Sequence, residues 1–160
     1  MSTTHVSVHI AAPPAVVYDA LLDPEAVARW RVPDGMTSEV HEFEPREGGY
    51  FRVSLTYDAS DPVGKSAAHT DTYHGHFTRL VPGELVVEVL EFEAAAPELA
   101  GLMTMTTTLR PAGTGTEVEV RHEGLPDAVP VADNETGTRM ALAKLAGLVE
   151  GGYRTGGLSS

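Results

Sequence analysis

From Thr37 to Glu123 the chain repeats one signal, and from Glu135 to Gly151 it switches to another. The first is a series of short runs alternating apolar and polar residues, the period of strands buried on one face. The second places Ala141, Leu142, Leu145, Leu148 and Val149 along one side of a helix, with Arg139, Lys144 and Glu150 elsewhere. A set of strands buried on one face followed by one long amphipathic helix leaves few solutions. The sheet must lay its apolar face on that helix.

The strand runs are Thr37 to Glu44, Tyr50 to Tyr57, Thr70 to Leu80, Leu85 to Glu93, Leu102 to Arg110 and Thr116 to Glu123. Segments such as "PREGG", "VPGE" and "PAGTG" separate them and carry turn chemistry, so the connections read as an antiparallel meander. Ahead of them, "HVSVHI" alternates Val6, Val8 and Ile10 against outward His5, Ser7 and His9. "PPAVVYDALLDPEAVARW" follows, with Pro14 suited to a first helical turn and Asp23-Pro24 breaking the segment into two short helices that end at Trp30. The expectation is α+β: about seven strands curved around a long C-terminal helix, with two short helices after the first strand.

Length and charge narrow the function. The 160 residues suit one domain, taken as 1–152, with a flexible glycine- and serine-rich tail at 153–160. A formal charge of −12, with its few basic residues scattered, excludes a nucleic-acid interface. No apolar run approaches the roughly 20 residues of a membrane helix, and "MSTTHVSVHI" lacks the basic start and apolar stretch of a signal peptide. A cytoplasmic protein, monomeric or a homodimer, is expected. The absence of cysteine rules out disulfides, thiolate zinc sites and cysteine nucleophiles.

Taken in order, "APPAVVYDALLDPEAVARW", "EFEPREGGYFRV", "GHFTRLVPGELVVEV", "GTEVEVRHEGLP" and "NETGTRMALAKLAGLVE" resemble the helix-grip superfamily called START-like or SRPBCC. Within it the chain is most similar to the branch named for the activator of heat-shock protein 90 ATPase, from about Val6 to Glu150. Trp30 and the Gly48-Gly49 pair fit that pattern; Thr138 stands after Gly137 where the family usually has tryptophan. The resemblance implies a seven-stranded antiparallel sheet gripping the C-terminal helix, with a small-molecule cavity between them. It implies no single activity, because the superfamily includes lipid and hormone binders, polyketide cyclases and co-chaperone domains.

Continuing the alternation inward, the sheet side of such a cavity consists of Phe51, Val53, Leu55, Tyr57, Tyr73, Phe77, Met103, Met105, Leu109, Val118 and Val120. Trp30 stands near its entrance beside Arg31, and Thr138, Ala141, Leu142 and Leu145 face it from the helix. A largely hydrocarbon wall suits an apolar or aromatic ligand; plain packing against the helix is the alternative. His122 shares the parity of Val118 and Val120 and is the candidate to orient a ligand or carry a proton, against the commoner role of a satisfied core residue. Arg79 and Glu88 flank a tight turn and read as a salt bridge or, if buried, as an acid–base pair. Thr104, Thr106 and Thr108 read as outward strand residues.

"AHTDTYHGHF" is the most metal-like text in the chain, since His74 and His76 share a strand face. No further ligand follows at a recognisable spacing, and Tyr73, Gly75 and Phe77 make the better inner face, so the histidines turn outward. No cofactor is expected. Binding a small apolar molecule without turnover is the leading function, with a cyclase- or dehydratase-like enzyme and a chaperone-interacting module as alternatives.

Overall fold

The computed structural model describes residues 2–32, 35–57, 70–93 and 101–151. Its elements, in chain order, are β1 (Ser2–Ile10), α1 (Pro14–Leu21), α2 (Pro24–Trp30), β2 (Met36–Phe43), β3 (Tyr50–Tyr57), β4 (Thr70–Val81), β5 (Leu85–Phe92), β6 (Met103–Ala112), β7 (Gly115–Leu125) and α3 (Val131–Glu150). All strands join one antiparallel sheet in the order β1-β7-β6-β5-β4-β3-β2. The meander from β2 to β7 thus runs across the sheet, and β1 closes its far side against β7. The fold is α+β of the helix-grip kind.

Period-two alternation is clearest in β6, where Met103, Met105, Thr107 and Leu109 are buried and the threonines at 104, 106 and 108 lie half-buried on the outer face. His5 and His9 of β1 are exposed, and the His5 Nε2 contacts the Glu119 carboxylate on β7. Leu142, Leu145 and Val149 bury the inner side of α3. The helix starts four residues before the expected Glu135, with Pro130 at its N-cap. Its first turn reads Val131, Ala132, Asp133, Asn134, and the exposed Val131 gives no apolar period to detect.

The short helices form as their prolines dictate. Pro14 and Pro24 occupy first-turn positions, where a missing N–H costs nothing, and Asp23 accepts from the Glu25 N–H at 3.0 Å. Trp30 ties α2 back to α1 by donating its indole N–H to the Ala20 carbonyl at 3.1 Å. Lys144 Nζ then donates to the Val32 carbonyl at 2.6 Å, fixing the end of the helix pair to α3.

Two glycine sites shape the sheet. Gly48, at a φ of +82°, donates its N–H to the Phe77 carbonyl, and Phe77 donates back to Gly49, so the turn before β3 is stitched to β4. Gly75 sits inward on β4 opposite Leu90, between Tyr73 and Phe77. A Cβ there would collide with the Val89 carbonyl oxygen and stand 2.8 Å from Leu90 Cα. Backbone atoms cannot yield as a flexible side chain can, so Gly75→Ala should destabilise the fold by about 2–3 kcal/mol or more. Urea denaturation of the variant with an unchanged midpoint would refute this close approach.

Candidate functional site

The curved sheet and α3 do not meet everywhere. Between the sheet and the N-terminal half of α3 lies a cavity of about 220 Å³. From the sheet, Leu55, Tyr73, Met103, Met105, Val120 and His122 line it, all on the inward parity read from the sequence. From the helices come Trp30, Thr138, Ala141 and Leu142. The other residues expected in the wall have a different place. Phe51, Val53, Phe77, Leu109, Val118 and Leu145 are buried in the solid core beside the cavity, where Phe43, Phe51 and Phe77 pack ring against ring. Tyr57 ends β3, and its side chain lies outside the described structure.

Several wall residues lie outside the expected set. Leu90 and Phe92 share an inward parity with Glu88 on β5, but Val87 and Val89 make the opposite face apolar as well and blur the period. Thr107 falls on the same inner face of β6 as the two methionines, a position that alternation alone reveals. Asn134 and Gly137 belong to the first turns of α3. Asn134 accepts from the buried Thr4 hydroxyl at 2.6 Å, and Thr138 donates to the Asn134 carbonyl at 2.8 Å.

The main polar feature of the wall corrects a sequence expectation. Arg79 does not pair with Glu88. A bulge between Phe77 and Arg79 sets Arg79 opposite Val87 and leaves it exposed, whereas Glu88 turns inward and is 3% exposed. Its partner is Arg31, at the end of α2, with Nη1 2.8 Å from Glu88 Oε1. The Arg31 Nη2 points to Met105 Sδ at 3.7 Å, and the guanidinium carbon lies 5.2 Å from the Tyr73 ring centre. Burial pulls the guanidinium pKa down, but the neighbouring Glu88 carboxylate more than offsets it, so the net shift is upward and Arg31 stays charged.

Around this pair stand two groups whose polar atoms are buried and lack hydrogen-bond partners among the described residues, Tyr73 Oη and His122 Nδ1. Burial raises the Tyr73 pKa, opposed by Arg31, so the phenol keeps its proton. Burial first, and then the Arg31 charge, lowers the His122 pKa to about 4, leaving its imidazole neutral near pH 7.

The outer face carries the histidines that first suggested a metal. His74 has Nδ1 2.8 Å from Glu93 and Nε2 3.2 Å from Glu91, while His76 packs its ring 5.4 Å from Tyr50. Arg52 holds Glu93 through two contacts, at 2.8 and 3.0 Å, and together with His74 brings that carboxyl down to about 2. Asp71 is exposed at the start of β4, and His69 lies outside the described residues. On the same face His41 Nε2 stands 2.8 Å from Ser54 Oγ, with Glu39 3.8 Å from Nδ1. The order resembles a hydrolytic triad, but Ser54 sits on an interior strand whose N–H groups are spent in two ladders, leaving none to stabilise an oxyanion.

Residues 11–150 match the family model described as Activator of Hsp90 ATPase homolog 1-like protein. The chain belongs to this family. A protein from Chromobacterium violaceum of known crystal structure is 35% identical, with 92% of this chain and 96% of that one covered at a TM-score of 0.84. One from Rhizobium loti is 28% identical over 91% and 95% of the two chains, with a TM-score of 0.73. An AHSA1-like protein from Aeromonas hydrophila shares the fold at 17% identity, covering 94% and 93% with a TM-score of 0.72. No curated protein matches the chain. Among the described residues no helix of this family member is long and apolar enough to cross a membrane.

Two outcomes follow from the wall. Removing one member of a buried ion pair strands the other, so Glu88→Ala should cost about 3–5 kcal/mol, and Arg31→Met/Glu88→Met together should recover most of it. Urea melts of the single and double variants decide this; additive losses would show that the two side chains do not act as a pair. His122 is neutral in the fold, whereas its ordinary pKa in the unfolded chain is about 6.5. The unfolded state therefore binds more protons between these values, and stability should fall as pH drops from about 6.5 to 4, by about 3 kcal/mol at most, with no further loss from this group below. His122→Phe should flatten that window in pH-dependent melts. A slope equal to that of the parent would refute the assignment.

Proposed function

We propose that the protein takes up a small apolar or aromatic molecule in the cavity between the sheet and α3. The observation that carries this reading is the wall itself: hydrocarbon from Leu55, Leu90, Met103, Met105, Val120 and Leu142, interrupted by a few polar groups, Arg31 with Tyr73 and His122, and Asp133, Asn134 and Thr138 from the first turns of α3. Such a balance desolvates an apolar body and leaves polar contacts to orient it. At about 220 Å³ the space falls just below the roughly 300–1,000 Å³ of drug-sized sites, which suits a ligand of one or two rings. Met103 and Met105 can adjust to its outline, because unbranched thioethers repack easily.

Binding is better supported than proton-transfer catalysis. A general base works best with a pKa near the working pH, and burial has taken His122 down to about 4. The chaperone-linked reading rests on the family's name alone.

Thr138 is the position at which to test uptake. It faces the cavity where the family usually carries tryptophan, so Thr138→Trp should place an indole in the ligand's space. The variant should melt at or above the parent's temperature and bind hydrophobic dyes at least tenfold more weakly. Native mass spectrometry of the parent after exposure to a panel of one- and two-ring compounds gives the complementary measurement. Unaltered dye affinity in a folded Thr138→Trp variant would overturn this assignment of the site.

A further inference from the structure

Buried hydroxyl and imidazole groups nearly always have a hydrogen-bond partner, yet Tyr73 Oη and His122 Nδ1 have none among the described residues. Tyr73 is 5% exposed, and its ring is held edge-on against Phe51, 6.1 Å away, with the Arg31 guanidinium carbon 5.2 Å from the Tyr73 ring centre and 5.9 Å from that of Phe51. His122 enters from β7, next to Met105, which Arg31 also touches. Both side chains line the same cavity. Oη and Nδ1 are themselves covered by the wall, so a partner entering that space reaches them as the adjoining Met105 side chain shifts.

The charge of that partner follows from Arg31. Its guanidinium is already balanced by Glu88 at 2.8 Å, so the pair contributes no net charge to the wall. A ligand carboxylate would have to compete with Glu88, and an ammonium group would face Arg31. An uncharged oxygen avoids both penalties. A ketone oxygen can accept from the Tyr73 hydroxyl and from a neutral imidazole N–H, while a phenol can accept from Tyr73 and donate to an unprotonated Nδ1.

Building on the ligand-binding reading above, we propose that the cavity selects an uncharged cyclic ketone or phenol of one or two rings, with Tyr73 and His122 recognising its oxygen. Arg31 and Glu88 act as positioning residues that hold the Tyr73 ring and cancel each other's charge; Asp133, at the exposed start of α3, is a further carboxylate of the lining and disfavours an anion.

Three molecules on one skeleton separate the terms: tetralin, 1-tetralone and tetralin-1-carboxylate. Trp30 is the chain's single tryptophan and lines the cavity, so its fluorescence reports occupancy; calorimetry on the full chain gives the affinities. Tetralin should bind, 1-tetralone about tenfold more tightly, and the carboxylate more weakly than either. Tyr73→Phe should bring the ratio of the 1-tetralone and tetralin affinities down to about one, and His122→Leu should reduce the same ratio by a second route. Equal affinities of the parent for tetralin and 1-tetralone would overturn this inference and leave the cavity reading standing. Tightest binding of the carboxylate would overturn it in favour of Arg31 as an anion receptor. Uptake of none of the three would overturn both.

Discussion

The concave face of the sheet is wider than the helix laid on it. Seven strands about 4.8 Å apart span roughly 29 Å, whereas a helix with its side chains is only about 10 Å across. The 20 residues of α3 run along that face for about 30 Å but cannot cover its width. The sheet must therefore curl around the helix, and the remaining apolar surface must be met by something else. Curling is helped by Gly75, where two backbones approach too closely for any side chain. The remainder falls to α1 and α2, which are too short to exclude all the space beneath them. The cavity is what this coverage leaves.

Placing two short helices over that gap requires a firm attachment, and Arg31 with Glu88 provides part of it. The pair joins the end of α2 to the middle of the sheet, between residues 57 positions apart in sequence. Burying two charges carries a desolvation penalty that their attraction need not outweigh, so the pair is weak evidence of added stability. What it supplies is direction: a guanidinium without its carboxylate would be stranded in the wall, so alternative docking of α2 is disfavoured. The Trp30 bond to Ala20 and the Lys144 bond to Val32 restrain the same junction from the other sides. These three contacts define one edge of the cavity.

The architecture was legible because its signals are local and periodic. Alternation in β6 and β7 named Met103, Met105, Val120 and His122 as inward, and the structure has them lining the space. Alternation could not divide the inner face into packed core and cavity wall. Phe51 and Phe77 have the same parity as Tyr73, yet they fill the region where β3 and β4 meet Phe43. That division depends on how far each strand stands from the helix, a property of the curvature. The Glu88 partner was hidden for two reasons. The bulge after Phe77 shifts Arg79 out of register, and Arg31 lies in a separate element whose approach no local pattern records. A strand that is apolar on both faces, as β5 is with Val87 and Val89, also conceals which side its one glutamate takes.

The position of the cavity along α3 follows from side-chain volume. Toward its C-terminus the helix presents Leu145 and Val149, which close onto the sheet, with Leu142 at the boundary of the cavity. Toward its N-terminus it presents Asn134, Gly137, Thr138 and Ala141, all small, and a Cβ at Gly137 would meet nothing within 4 Å. Space opens where the helix has little to fill it. The same composition explains why α3 begins ahead of its sequence signal: a turn without large apolar residues produces no hydrophobic period. Large apolar residues would have made the helix start legible and removed the room for a ligand. At this end of α3 the weak folding signal and the candidate binding space have one physical origin.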